Sequence, residues 1–158
     1  MNKYMDEAEK LVKENLIDNS GGPFGAVVVK SGVIIGRGSN NVIRDNDPTA
    51  HAEIEAIRDA CKNIKSFDLT GCSIYTTCYP CPMCLSAIIW ANIKKVYYGN
   101  TKKDAAKIGF RDDDIYTYIS KLADNIEDKN TLCLECLDRE ETIETFNDYI
   151  KKNDKTIY

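Results

Sequence analysis

The chain has 158 residues, of which 43% are hydrophobic and 29% charged, as expected for one globular domain and not for a disordered or low-complexity chain. Its formal net charge is −4 and its isoelectric point about 5.1, which argues against a nucleic acid partner and favours a small, weakly charged substrate. A polar N-terminus and the lack of any apolar run near the ~20 residues of a membrane helix predict a cytoplasmic protein with no membrane association.

The spacing of apolar residues along the chain predicts helices separated by short strands. The first helix places its apolar side chains on one face, and two strands follow as a hairpin. The helix that starts near Pro82 is so apolar that we expect it to be buried. The predicted helices cover residues 4–17, 48–60, 83–91, 101–107, 115–122 and 139–152. The predicted strands cover residues 24–29, 33–38, 73–77, 95–98 and 131–137.

This order of elements predicts an α/β fold. Strands that alternate with helices after an initial hairpin are typical of a three-layer α-β-α sandwich around a mixed sheet, here with five strands. No segment is long enough to act as a linker, so we expect a single domain over residues 1–158.

Four residues form a pattern that is typical of metal-dependent chemistry. His51 and Glu53 are followed by Cys81 and Cys84, in the order H-x-E and P-C-x-x-C of zinc nucleobase deaminases. One helical turn brings both sulfurs to the same side, and a helix N-terminus favours thiolates. Two thiolates and one imidazole make three ligands for one zinc ion, leaving a fourth position for water. Zinc lowers the pKa of bound water to roughly 7.

Glu53 is the candidate proton carrier of this site. Two steps along a regular helix turn by ~200°, which would point His51 and Glu53 apart. Near a first turn, where the chain bends in at Pro48, both side chains can border one pocket. A carboxylate there would accept a proton from the activated water and pass it to the substrate.

Other cysteine arrangements remain open. Cys78 would complete a closed, inert site with the three candidate ligands, and His51 alone could be a core histidine. Cys133 and Cys136 form a second C-x-x-C pair on a predicted strand, where successive side chains face opposite ways. We expect these two to be free thiols. Seven cysteines without signs of secretion argue against a disulfide framework.

Beyond the motif, the sequence resembles the cytidine deaminase-like superfamily, and within it the small bacterial guanine deaminases. The zinc motif is specific for the superfamily, whereas residues 21–26 and the Gly109-Phe110 pair favour the guanine branch. Tyr79 and Arg111 depart from the branch, which has acidic residues there, and the match is thin after about residue 120. The similar segments are residues 21–27, 40–42, 46–53, 81–85, 88–91, 109–112 and 115–116.

The resemblance implies a role for each residue of the site. His51, Cys81 and Cys84 would hold zinc, and Glu53 would carry protons. In the family, the C-terminal segment can cross to a partner subunit, so the resemblance also implies a homodimer. The expected substrate-binding residues are Phe24, Asn40, Ala52, Trp90, Asp112 and Tyr158.

Several of these residues also have structural explanations. Phe24 and Trp90 could pack in the core. Asp112 begins a run of three aspartates of the kind that caps a helix. Tyr158 could belong to a frayed terminus.

The expected reaction is hydrolytic deamination of guanine at C2, giving xanthine and ammonia. Two alternatives stay open at this point. One is a deaminase of another target, such as adenosine in transfer RNA, cytosine or a related heterocycle. The other is a structural zinc module without turnover.

Overall fold

The computed structural model describes residues 2–157 and divides the chain into two compact units, Met1–Tyr116 and Thr117–Tyr158. The strands are β1 (Gly25–Lys30), β2 (Val33–Ser39), β3 (Cys72–Cys78) and β4 (Lys95–Asn100). The helices are α1 (Lys3–Asp18), α2 (Val42–Asp45), α3 (Ala52–Ile64), α4 (Pro82–Trp90), α5 (Lys102–Lys107), α6 (Asp112–Ala123) and α7 (Arg139–Lys151).

The sheet of the first unit has the strand order β2-β1-β3-β4. The β1–β2 and β1–β3 pairs are antiparallel and the β3–β4 pair is parallel, so the prediction of a mixed sheet is confirmed. The prediction of five strands is wrong, because residues 132–137 form no regular structure. Their composition suits a strand, but a strand exists only where its backbone groups pair with a neighbour.

Helices cover both faces of this sheet and make three layers within the first unit. On one face, α1 contributes Ala8, which packs with Val27 and Val29. On the other face, α3 and α4 pack against the opposite side chains of β1 and β3. That second cluster includes Ala26, Val28, Ala52, Ala56, Ala60, Ile74 and Ile88.

Two glycines of β2 let α3 lie directly on the sheet. A Cβ added to Gly38 would collide with the backbone of Ala52 and Ala56, and one on Gly36 with that of Ala56 and Ala60. The missing side chains therefore fix the distance between β2 and α3. This contact holds the N-terminal end of α3, where two of the predicted site residues lie.

The second unit has little core of its own. Among its described residues only Tyr118 is a buried hydrophobic side chain, at 8% exposure. Most of its other large apolar side chains are exposed, including Leu134, Leu137, Phe146 and Ile150. Burial of apolar surface is the main source of folding free energy, so this unit gains little from its internal contacts.

No helix in the described part of the chain is long and apolar enough to cross a membrane.

Candidate active site

Two helix N-termini bring the predicted metal ligands together. His51 is the N-cap of α3 and Cys81 the N-cap of α4, and both have extended backbones. Pro82 occupies the first turn of α4, as predicted. The Nδ1 atom of His51 lies 3.6 Å from the Sγ atoms of both Cys81 and Cys84. The ligand atoms of these three side chains all lie within 4.8 Å of one another.

The chemistry of this cluster fits a zinc ion. The hydrogen bond between the two cysteine side chains lowers the pKa of Cys81 and raises that of Cys84. A hydrogen bond with Cys81 also raises the pKa of His51. A divalent cation bound by both sulfurs would displace any thiol proton, and two thiolates with one imidazole suit zinc.

Cys78 makes a different contact and does not join the three ligands. Its thiol donates a hydrogen bond to the carbonyl of Thr101 at 3.6 Å. Burial raises the pKa of Cys78 to about 11, which keeps it protonated. Among the described residues, the metal-ligating group consists of His51, Cys81 and Cys84. Three protein ligands leave a position open, whereas structural zinc sites have four.

Glu53 lies beside the ligand group with 6% of its surface exposed. Its Oε1 accepts a hydrogen bond from Thr76 at 3.1 Å, and its Oε2 accepts one from the Cys84 thiol at 3.5 Å. Burial raises the pKa of Glu53 above its ordinary value. A carboxyl group with a raised pKa next to a metal site can both take up and release a proton.

The start of α3 explains how His51 and Glu53 share one pocket. The prediction that the helix begins near Pro48 is wrong, since α3 begins at Ala52. The carboxylate of Asp47 accepts hydrogen bonds from the N–H and hydroxyl of Thr49, each at 2.7 Å, in a turn that competes with helix. His51 therefore lies outside the helix, and the ~200° separation of two helical residues does not apply to it.

A small cavity opens onto this group, with a volume of about 30 Å³. Three of the predicted substrate residues line it: Phe24, Asn40 and Asp112. The full lining consists of Phe24, Asn40, His51, Glu53, Cys78, Tyr79, Cys81, Phe110 and Asp112. Cys78, Tyr79 and Phe110 line the cavity as well, although none of them was predicted to bind substrate. The Gly109-Phe110 pair was a signal for Phe110, because it belongs to the segment that resembles guanine deaminases.

The family is decided by comparison with known proteins. Residues 1–100 match the model of the cytidine and deoxycytidylate deaminase zinc-binding region. The chain belongs to this family. The predicted resemblance to cytidine deaminase-like proteins is therefore confirmed, and the family is zinc-binding.

Two relatives share extended similarity with this family member. Guanine deaminase of Bacillus subtilis is 51% identical over 121 residues, which cover 77% of the chain and 78% of the relative. A tRNA-specific adenosine deaminase of Buchnera aphidicola is 46% identical over 93 residues, covering 59% of the chain and 62% of the relative. The X-ray structure of the Bacillus subtilis guanine deaminase superposes with a TM-score of 0.90 at 43% identity, covering 100% of the chain and 99% of that structure.

The polar and aromatic side chains of the cavity have defined partners. The Asn40 side-chain oxygen accepts hydrogen bonds from the N–H groups of Gly22 and Val42, at 3.2 and 3.3 Å. This leaves the Asn40 NH₂ group as the donor available to a ligand. Phe24 and Phe110 make an edge-to-face pair with centroids 4.7 Å apart.

Two predicted substrate residues, Ala52 and Trp90, do not line the cavity. Ala52 is fully buried in the core cluster beneath α3 and does not line the cavity. Trp90, at the end of α4, is 64% exposed and also lies outside the cavity lining. Ile89 is exposed as well, so the prediction that α4 is buried holds for one face of the helix, which carries Cys84 and Ile88, and is wrong for its C-terminal end. Tyr158 lies outside the residues that the structure describes.

Proposed function

We propose that the chain catalyses the hydrolytic deamination of guanine to xanthine and ammonia. One observation carries this proposal: the likeness to the guanine deaminase of Bacillus subtilis extends over the whole chain. The match to the tRNA-specific adenosine deaminase covers only 59% of the chain. The acidic isoelectric point of about 5.1 also favours a free base over a transfer RNA.

The metal would be held by His51, Cys81 and Cys84. Zinc bound there would supply a Lewis acid that makes water nucleophilic near neutral pH. Glu53 would accept one proton of the attacking water and deliver it to a ring nitrogen. It would then take the remaining proton of the new hydroxyl group and pass it to the departing amine, which leaves as ammonia while the carbonyl forms. The Thr76 hydroxyl, at 3.1 Å from Oε1, holds the carboxyl group in place for these transfers.

The cavity walls would recognise the base by complementary hydrogen bonds. The free NH₂ group of Asn40 suits an acceptor on the purine, and the carboxylate of Asp112 suits N–H donors on it. Burial raises the pKa of Asp112, so its negative charge is poorly solvated and gains from such donors. The aromatic side chains of Phe24 and Phe110 provide apolar contact for the flat ring.

We also propose one deaminase domain over residues 1–158, acting as a homodimer in which the C-terminal segment crosses to the partner. The exposed apolar side chains of the second unit support this proposal, since a second copy could cover them. Tyr158 would then reach a partner's active site. Sedimentation equilibrium would show a dimer for the native chain and a monomer for Phe146→Glu. A native monomer would contradict the proposal.

A panel of substrates tests the reaction itself. Purified zinc-loaded protein is incubated with guanine, guanosine, adenine, cytosine and a transfer RNA, and ammonia release is measured for each. We expect release from guanine, with xanthine as the other product. Inosine formation in the transfer RNA alone would favour the adenosine deaminases instead. No release from any of these would favour a structural zinc module.

A further inference from the structure

Tyr116 makes a short hydrogen bond to the segment that carries the metal ligands. Its hydroxyl donates to the backbone carbonyl of Pro80 at 2.6 Å. Pro80 directly precedes Cys81, and Tyr79 on its other side lines the cavity. The bond therefore connects α6 to Pro80, which lies between Tyr79 of the cavity wall and the metal ligand Cys81.

The same helix carries the proposed substrate acceptor. Asp112 is the first residue of α6, and Tyr116 follows four residues later. Residues four apart lie on the same face of a helix, about 5–6 Å apart at their Cβ atoms. Anchoring Tyr116 to Pro80 thus fixes the first turn of α6, and with it the position from which Asp112 enters the cavity.

Two further contacts hold the Tyr116 ring independently of its hydroxyl. The Lys102 ammonium lies 4.2 Å from the centroid of the Tyr116 ring and 5.4 Å from that of Tyr79. The Tyr79 ring also lies beside the Tyr116 ring in a tilted arrangement, with centroids 6.4 Å apart. Cation–π contacts of this kind stabilise a ring orientation. Burial raises the pKa of Tyr116, so its hydroxyl remains a proton donor.

We propose that Tyr116 is a positioning residue, which sets the Asp112 carboxylate at the correct distance from the metal-ligand segment through its bond to Pro80. The proposal rests on the proposed function, because it gives Asp112 the role of purine acceptor. Tyr116 itself contacts neither the metal ligands nor the substrate in this account. Its loss should therefore change substrate recognition while leaving zinc in place.

The variant Tyr116→Phe removes one oxygen atom and keeps the ring contacts with Lys102. The matched control is Tyr118→Phe, two residues along the same helix, whose hydroxyl donates to Leu132 at 3.4 Å. Losing this part-buried hydrogen bond should lower kcat/KM for guanine about 3- to 10-fold, mainly through KM. The control should match the native enzyme. Zinc content, measured by competition with a chromogenic chelator, should be unchanged in both.

A double-mutant cycle with Asp112→Asn distinguishes positioning from a separate role. If Tyr116 acts through Asp112, then Tyr116→Phe has almost no further effect in the Asp112→Asn background. Effects that multiply in the double variant would overturn the proposal, as would loss of zinc from Tyr116→Phe.

Hydrogen exchange supplies a readout that needs no substrate. Amides of residues 112–116 should exchange faster in Tyr116→Phe than in Tyr118→Phe. If the native enzyme fails to deaminate guanine, the proposed function fails, but this exchange result still decides whether Tyr116 positions α6. Equal exchange in the two variants would overturn the proposal.

Discussion

Asn15 of α1 holds the backbone of Gly22 and of Asn40, and Asn40 lines the cavity. Its NH₂ group donates to the carbonyls of Gly22 at 2.7 Å and of Asn40 at 2.9 Å. Asn15 is 2% exposed, and its Oδ1 has no hydrogen-bond partner among the described residues. The variant Asn15→Leu has a similar volume and no donor. It leaves the Asn40 carbonyl without its donor, whereas the Gly22 carbonyl keeps the hydrogen bond from the Phe24 N–H at 2.8 Å.

The magnitude follows from counting these groups. The unpaired Asn40 carbonyl costs about 2 kcal/mol, and the bond lost from the still-paired Gly22 carbonyl costs about 1 kcal/mol more. Removing the unpaired Oδ1 of Asn15 returns about 2 kcal/mol. The net loss of about 1 kcal/mol corresponds to a fall in Tm of roughly 2–4 °C for a chain of this length.

Asn63→Leu is the matched control for this measurement. Asn63 also donates two hydrogen bonds, to the Ile35 carbonyl at 2.9 Å and to Asp59 at 3.1 Å, but it is exposed. Water replaces lost partners at an exposed site, so its stability should change by about 0.5 kcal/mol or less. Thermal unfolding of the zinc-loaded variants checks both values. Equal shifts in the two variants would refute the reasoning, and Asn15→Leu should also raise KM for guanine.

Three further outcomes are expected at the metal site. Glu53→Gln should lower kcat by about 10²–10⁴-fold while zinc stays bound, because the amide cannot carry a proton; retained turnover would exclude Glu53 as the carrier. Cys78→Ser should keep zinc and activity, since a hydroxyl can also donate to Thr101, and metal loss on dialysis would instead support a closed site. Chelation of zinc should lower Tm reversibly, because a ligand bound only by the folded state stabilises it; an unchanged Tm would contradict binding by His51, Cys81 and Cys84.

The spacing of residues along the chain was enough to predict the ligand group. The C-x-x-C spacing at a helix start requires Cys81 and Cys84 to lie on one side of α4, whatever surrounds them. His51 lies next to these two cysteines because it is the N-cap of α3 and the N-cap of α4, Cys81, is 3.6 Å from it. The hydrophobic periods also predicted α1, the β1–β2 hairpin and α7 to within a few residues.

Features that depend on long-range contacts were not predictable from local patterns. Residues 131–137 have strand-like composition, but no partner strand pairs with residues 132–137 in the described chain. Trp90 belongs to an apolar helix, yet apolar content does not tell which face of that helix is covered. Tyr79 and Phe110 line the cavity. Neither belongs to the H-x-E or C-x-x-C pattern, so that pattern could not predict their place in the cavity wall.

The central claim is that this chain replaces the amine of guanine with an oxygen atom from water. The most direct test is to incubate the zinc-loaded protein with guanine in water enriched in heavy oxygen, and to analyse the product by mass spectrometry. We expect xanthine with one labelled oxygen, formed together with an equal amount of ammonia and almost absent with Glu53→Gln. Guanine recovered unchanged, or xanthine formed equally well by Glu53→Gln, would contradict it.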